Sequence, residues 1–339
     1  MVSTITSQQQ SRLVYMCSLI LPGITIAGNF TGGWFAFTGF ITAFVIYPLL
    51  DMVLGESQGR NLESDDPLFF DLILYAHAVL QIGAVASLGY FALHEGVNRF
   101  TMMAALSTGT NSGISSIVIA HELIHRKMAF QRYLGIFLLW TVNYPHFYVE
   151  HIRGHHKNVA TDLDPASARE DEGLWLFVIR TVPLQWISAW HIMKEKNVSA
   201  LKNPVVLFLL IQIISWSAVY YFFGVAVLAV WLIQSLFSIF LLEFVNYIRH
   251  WGLRRDPGER VLAMHSWQSE RRWSRWTLVE LTRHSDHHMT ASKEYWKLQA
   301  YDEGPRLPNG YYVCFYLALV PPLWRSVMRK RIPVATGNG

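Results

Sequence analysis

The sequence predicts an all-α integral membrane protein, a six-transmembrane-helix bundle with a histidine-rich site at its cytoplasmic end. Three observations predict it. The chain of 339 residues is 52 % hydrophobic and only 15 % charged, with 13 Trp and 20 Phe, which is too apolar for an ordinary soluble domain. Its apolar residues run in windows of about 20, the length a helix needs to cross a hydrocarbon core. Its 14 histidines are not scattered, since nine of them fall into four tight groups.

The apolar windows lie near residues 13–30, 34–54, 69–93, 101–120, 205–223 and 225–247. Thr31-Gly32-Gly33 divides the first pair and Gly224 the last, so each pair reads as a tight helical hairpin. The fourth window contains STGTNSGISS, Ser107 to Ser116, whose small residues suit a lined passage or close helix packing in lipid. A weaker apolar stretch, 129–148, carries Tyr133, Asn143, Pro145 and His146 and is expected to be buried or interfacial rather than a seventh span.

Orientation follows from Lys and Arg, because positively charged flanks stay in the cytoplasm. With the N-terminus inside, the segments 31–33, 94–100 and around 224 face outwards and hold one basic residue, Arg99. The other 27 lie in 1–12, 55–68, 121–203 and 248–339. Both termini and the polar segments 121–203 and 248–310 are therefore expected on the cytoplasmic side of a bacterial inner membrane. The net charge of +4 suits the anionic cytoplasmic leaflet, and no soluble basic face points to nucleic acid. Cys17 and Cys314 sit in apolar segments at opposite ends of the chain, which supports neither a disulfide framework nor a thiolate site. No cleavable leader is expected, since residues 1–12 lack a basic n-region. Without a repeat, low-complexity tract or linker, residues 1–339 read as one domain.

The four groups are His121 and His125 in HELIHRK, His151, His155 and His156 in EHIRGHH, His250 in NYIRHWG, and His284, His287 and His288 in RHSDHH. Residues four apart share one helix face, so His121/His125 and His151/His155 each read as a bidentate pair, with His156 and His288 added at the rim. Imidazole is the commonest nitrogen ligand for transition metals. One ion takes four to six ligands, so nine imply two metals. His77, His94 and His191 stand alone and read as structural, while His146 and His265 lie nearer the groups. HELIH also fits the H-E-x-x-H pattern of a zinc protease, but that chemistry leaves the other clustered histidines without a role. A transport site is not supported either, for want of intramembrane acidic pairs and matching broken spans.

In combination, HELIHRK, EHIRGHH followed by ATDLDPASAR, NYIRHWG and LTRHSDHH resemble the integral-membrane alkane 1-monooxygenases, and more loosely xylene monooxygenase and the membrane fatty-acid desaturases. The likeness runs from about residue 100 to 327 and includes LPNGYYVCFYLALVPPLW. It implies a cytoplasmic di-iron site held by the nine histidines, with two non-haem iron ions and O2 as co-substrate. It also implies terminal or benzylic hydroxylation of a hydrophobic substrate drawn from the bilayer, with electrons from rubredoxin or a ferredoxin-type donor and its reductase. Two features depart from the family pattern: Arg249 and Trp251 replace the usual NY-x-E/Q-H-Y-G residues, and QSERRW after His265-Ser266-Trp267 is unusually basic.

Nine neutral imidazoles bring no charge to offset two irons, so carboxylates are expected to orient the rings and raise their basicity. Glu122, Glu150, Asp164, Glu243 and Asp286 are the candidates, although pairing with Arg126, Arg153 or Arg283 would also explain some of them. Trp34, Trp140, Trp231 and Trp251 suit either a substrate channel or the membrane interface. An alkane hydroxylase leads, ahead of an aromatic-methyl hydroxylase and a lipid or fatty-acyl desaturase.

Overall fold

The computed structural model describes residues 11–57 and 66–333. The expected placement of the extreme N-terminus, of Arg60 and of the last six residues lies outside the described residues. Within them the protein is helical, and its only extended pairings are two isolated bridges, Glu56 with Arg271 and Gln268 with Arg306.

Among the described residues, four helices are long and apolar enough to cross a membrane: α1 (Arg12–Thr31), α2 (Gly33–Val53), α3 (Pro67–Glu95) and α8 (Pro204–His250). Gly32, at φ 70°, separates α1 from α2, and Gly96, at φ 66°, ends α3. Helix α4 covers 99–124 and starts at a capping box. Asn98 Oδ1 accepts from the Phe100 and Thr101 amides, and Thr101 Oγ1 accepts from the Asn98 amide. α4 is less apolar than these four, since it carries the small and polar residues Ser107 to Ser116.

The 47 residues of α8 would span about 70 Å as one straight rod. Gly224, at φ 83° and ψ 178°, breaks it into two arms. Side chains from both arms meet one short segment that follows α5 (Ala129–Thr141). Trp216 Nε1 donates to Asn143 Oδ1 at 2.7 Å, and Trp231 Nε1 donates to the Thr141 carbonyl at 2.8 Å. Trp216 and Trp231 lie on either side of Gly224 at similar distances along the chain. The arms are therefore antiparallel, as the Gly224 hairpin predicts. α5 itself is 13 residues long, too short to cross, in keeping with the buried or interfacial reading of 129–148.

The small residues of α4 serve mainly for packing. A Cβ on Gly109 would stand 2.7 Å from the Gln234 carbonyl oxygen, and one on Gly113 would stand 2.8 Å from Leu241 Cβ, so the second arm of α8 lies directly against this stripe. Its hydroxyls knit the bundle together. Asn29 Nδ2 donates to Ser87 Oγ and Thr108 Oγ1, and Gln81 Nε2 donates to Ser112 Oγ, which donates in turn to Gln234 Oε1. His77 lies between Ser18 Oγ at 2.8 Å and Ser115 Oγ at 2.6 Å, a fully hydrogen-bonded core imidazole.

The remaining elements gather at one end of the bundle: α6 (147–158), α7 (Leu174–Glu195), α9 (Arg272–Thr277), α10 (His284–Met289), α11 (Tyr311–Leu319) and α12 (Pro321–Met328). α7 lies in a segment the sequence reads only as polar, yet it exposes Trp175, Leu176 and Ile179. Asp51 of α2 ties this end to the bundle by accepting from the Ser274 amide and hydroxyl at 2.9 and 2.7 Å.

Candidate metal centre

His121 and His125 close α4, His250 closes α8, and α6 and α10 supply the other six imidazoles. All nine converge, and they divide into two groups. His121, His125, His151, His156 and His287 place their ligand nitrogens within 4.8 Å of one another, and so do His155, His250, His284 and His288. His151 and His155, which the spacing pairs on one face, are split between the two. The reason is local: residues His151–His155 are wound as a π-helix, and the His156 amide bonds the His151 carbonyl, five residues back. In this widened turn His151 Nε2 meets His156 Nε2 at 3.1 Å, while His155, its ring still stacked on His151, joins the second group. Gly154 permits the close passage, since a Cβ there would lie 2.7 Å from Glu150 Oε1.

Two neighbouring devices fix α8 and α10. Trp251 Nε1 donates to the Glu172 carbonyl at 3.1 Å and fastens the end of α8. Before α10, Val279 and Glu280 take φ values of 42° and 60°, unfavourable for both, and a buried charge network holds the turn. In that network Arg275 pairs with Glu280 at 2.8 Å, Arg283 pairs with Glu270 at 2.7 Å, and Tyr15 donates to Glu280 at 2.9 Å.

The donor set fits metal ions. In the first group the Nε2 atoms of His125, His151, His156 and His287 approach one another in sequence at 3.1 Å, and in the second His284 and His288 approach at 2.8 Å. The buried Nε2 atoms of His121, His155 and His250 have no hydrogen-bond partner. Lone pairs that converge on one point and lack donors are what an ion would satisfy. Burial first, and then neighbouring charge, holds His151, His156, His284, His287 and His288 well below the ordinary imidazole value, and burial takes His125 to about 3. These six rings are thus neutral and free to coordinate.

The carboxylates are placed unequally. Asp164 Oδ2 accepts from His155 Nδ1 at 2.9 Å and from Ser167 Oγ at 2.6 Å, which turns His155 Nε2 toward the second group. Burial alone would raise the Asp164 pKa, but His155 and these hydrogen bonds pull it below the usual carboxylate value. Glu243 accepts from Gln185 at 2.8 Å, Asn246 at 3.1 Å and Tyr144 at 3.3 Å. Glu150 is fully buried with neither oxygen bonded, and burial followed by the charges of Asp164 and Glu243 pushes it well above the usual range. Glu122 pairs with Arg126 at 2.9 Å and accepts from the Tyr295 amide, whereas Asp286 holds Lys293, the Gln299 amide and Tyr301. Neither touches an imidazole. His265 accepts from the Leu262 amide, and its carbonyl lies 3.3 Å from His250 Nδ1. His146 is buried beside Tyr144 and belongs to neither group.

A cavity of about 20 Å³ opens beside His121 and His151, and a second of about 40 Å³ continues from it toward Phe44 and Phe315. Gly113, Val118 and Val245 line both. The first also meets Arg249, a residue that sequence reasoning singled out only as a departure from the family pattern. Trp140 and Trp231 line a different apolar cavity of about 400 Å³ that no histidine touches, and Trp34 is exposed.

The family model described as fatty acid desaturase matches residues 99–318. Alkane 1-monooxygenase 2 of Alcanivorax borkumensis is 33 % identical over 343 residues, covering 92 % of this chain and 87 % of the relative. Alkane 1-monooxygenase 1 of Pseudomonas aeruginosa is 33 % identical, covering 88 % of this chain and 83 % of the relative. The xylene/toluene monooxygenase hydroxylase component of Pseudomonas putida is 27 % identical, covering 92 % and 87 %. With its two histidine groups at one end of an apolar helical bundle, the chain belongs to the alkane 1-monooxygenase family, within the fatty acid desaturase class.

Proposed function

We propose that the protein is an O2-dependent di-iron monooxygenase that hydroxylates the terminal methyl group of an alkane-like substrate to a primary alcohol. The observation that carries this reading is the pair of convergent histidine groups, one of which faces an apolar cavity that runs into the bundle. The relatives named for alkane oxidation are nearer, at 33 % identity, than the xylene/toluene relative at 27 %, which favours an aliphatic methyl over an aromatic one.

His121, His125, His151, His156 and His287 would hold one iron, and His155, His250, His284 and His288 the other. Two irons bound there supply the reduction of O2 and the oxidation of a C–H bond. The chain contributes position. Asp164 orients His155, while Val118, Leu241 and Val245 exclude water and align the hydrocarbon with its end at His121 and His151. Cavities this small admit an alkane only when their side chains give way, so substrate entry requires the lining side chains to move. Glu150 and Glu243 tune the second group, while Glu122 and Asp286 support the site indirectly.

His125 and His156 are the histidines partly open to solvent, which favours electron entry beside them from rubredoxin or a ferredoxin-type donor and its reductase. α4 and both arms of α8 cross the membrane with α1, α2 and α3, giving six spans. The Lys and Arg distribution favours a cytoplasmic site in a bacterial inner membrane. The test is metal analysis together with product identification. Purified protein should carry about two irons and convert octane to 1-octanol when a rubredoxin or ferredoxin system is added; one zinc per chain with peptidase activity would overturn the reading.

A further inference from the structure

Among the described residues, every other buried arginine has its guanidinium met: Arg255 by the carbonyls of Val159, Glu259 and Lys157, and two more by carboxylates. Arg275 and Arg283, both almost completely enclosed, pair with Glu280 and Glu270 at 2.8 and 2.7 Å. Arg249 is left with a donor unmet. It is 3 % exposed, its Nε donates to the Tyr311 hydroxyl at 3.1 Å and its guanidinium lies over the Tyr311 ring. Yet Nη2 is buried without a partner, and no carboxylate among the described residues lies within ion-pair distance. A buried cation with an unused donor is unfavourable unless an acceptor meets it, and an anion is the acceptor that also offsets its charge.

The place where that anion belongs is defined. Arg249 lines the metal-side cavity together with His121 and His151, and apart from Asn246 the other walls are apolar, Val118, Phe147 and Val245 among them. The protein's own carboxylates do not reach it. Asp164 is committed to His155, Glu243 to Asn246, Gln185 and Tyr144, and Glu122 to Arg126. One end of the cavity therefore offers a charged donor, and the rest, with the adjoining cavity toward Phe44 and Phe315, offers a hydrocarbon lining. An unfunctionalised alkane satisfies only the second of these.

We propose that Arg249 makes this cavity a binding site for the carboxylate of a medium-chain fatty acid, which occupies the space of the alkane and competes with it. The proposal rests on the reading of the cavity as the alkane's place and names a second ligand class for it. The guanidinium takes the carboxylate as a charge-assisted hydrogen bond, and the acyl chain follows the apolar walls.

The test is equilibrium binding of radiolabelled decanoate to the iron-loaded full-length protein in detergent at pH 7.5, with decanol and acetate as comparison ligands. Decanoate should bind at least about tenfold tighter than either, and octane should displace it. R249Q should lose at least about tenfold in decanoate affinity while decanol affinity changes little; R249K should keep part of the preference. Equal decanoate binding by wild type and R249Q overturns the proposal. So does acetate binding as tight as decanoate, or, should R249Q fail to load iron, a wild-type affinity for decanoate no better than for decanol. Octane hydroxylation in the same preparation separates the two readings. Absent hydroxylation with Arg249-dependent decanoate binding defeats only the proposed function, and hydroxylation without a decanoate preference defeats only this inference.

Discussion

The two histidine groups differ in how the protein supports them. His155, His250, His284 and His288 are fully enclosed, drawn from three separated parts of the chain, and backed by Asp164 with Glu150 and Glu243 near by. His121, His125, His151, His156 and His287 include two partly exposed rings, bond to no carboxylate, and border the apolar cavity and Arg249. The smaller group has the fewer ligands and the stronger surroundings, as a site built for retention would. The larger group has ligands to spare and an open side, as a site built for access would.

Breaking that asymmetry directly gives the largest effect. His250→Ala leaves the enclosed group three ligands and should cost about one iron per chain and abolish hydroxylation, because it removes a metal bond rather than core packing. His156→Ala leaves four ligands on the open side and should keep more iron. His77→Ala, away from both groups, should keep all of it while losing two hydrogen bonds. Iron analysis of the three variants ranks them, and equal loss in His250→Ala and His156→Ala would erase the distinction.

A smaller effect is expected from Asp164→Asn. It keeps the shape but weakens the hold on His155, so metal affinity or activity should fall about 10- to 100-fold, with the loss confined to the enclosed group's iron. Mössbauer spectra of partly loaded protein read which site empties.

The mildest effect sharpens the comparison through pH. His125 in the folded protein takes a proton only near pH 3, whereas in the unfolded chain it takes one near the ordinary value of about 6.5. A depressed imidazole pKa gives stability that is complete above about 6.5 and declines as pH falls toward 3. The metal-free protein should therefore melt at progressively lower temperature from pH 7 to pH 5, by up to about 2 kcal/mol for this ring at pH 5. His125→Gln should flatten part of that slope.

The histidine groups were legible in the sequence because metal binding needs residue types at short, fixed spacings, as in HELIH and RHSDHH. The membrane helices were legible because hydrocarbon demands long apolar runs, and Gly224 announced its own hairpin. What spacing did not disclose was decided by packing across distant segments. An α-helical period pairs His151 with His155, and only the tertiary setting of EHIRGHH winds that turn as a π-helix and separates them. Of five candidate carboxylates, Asp164 alone holds an imidazole, and nothing local distinguishes it from Asp286, which holds a loop instead. The importance of Arg249 depends on the cavity it faces, which no single segment encodes.

α6 and α10 each give histidines to both groups, and His156 meets His287 across 131 residues of chain. At roughly 5–20 residues per second, the ribosome needs on the order of ten seconds to travel from one to the other. During that interval HELIH and EHIRGHH exist without RHSDHH, a cluster of imidazoles with no final geometry to enforce a choice of metal. Affinity alone then favours copper or zinc over ferrous iron. For an iron centre, loading is then favoured once α10 has docked, when all nine imidazoles stand together and geometry as well as affinity selects the metal.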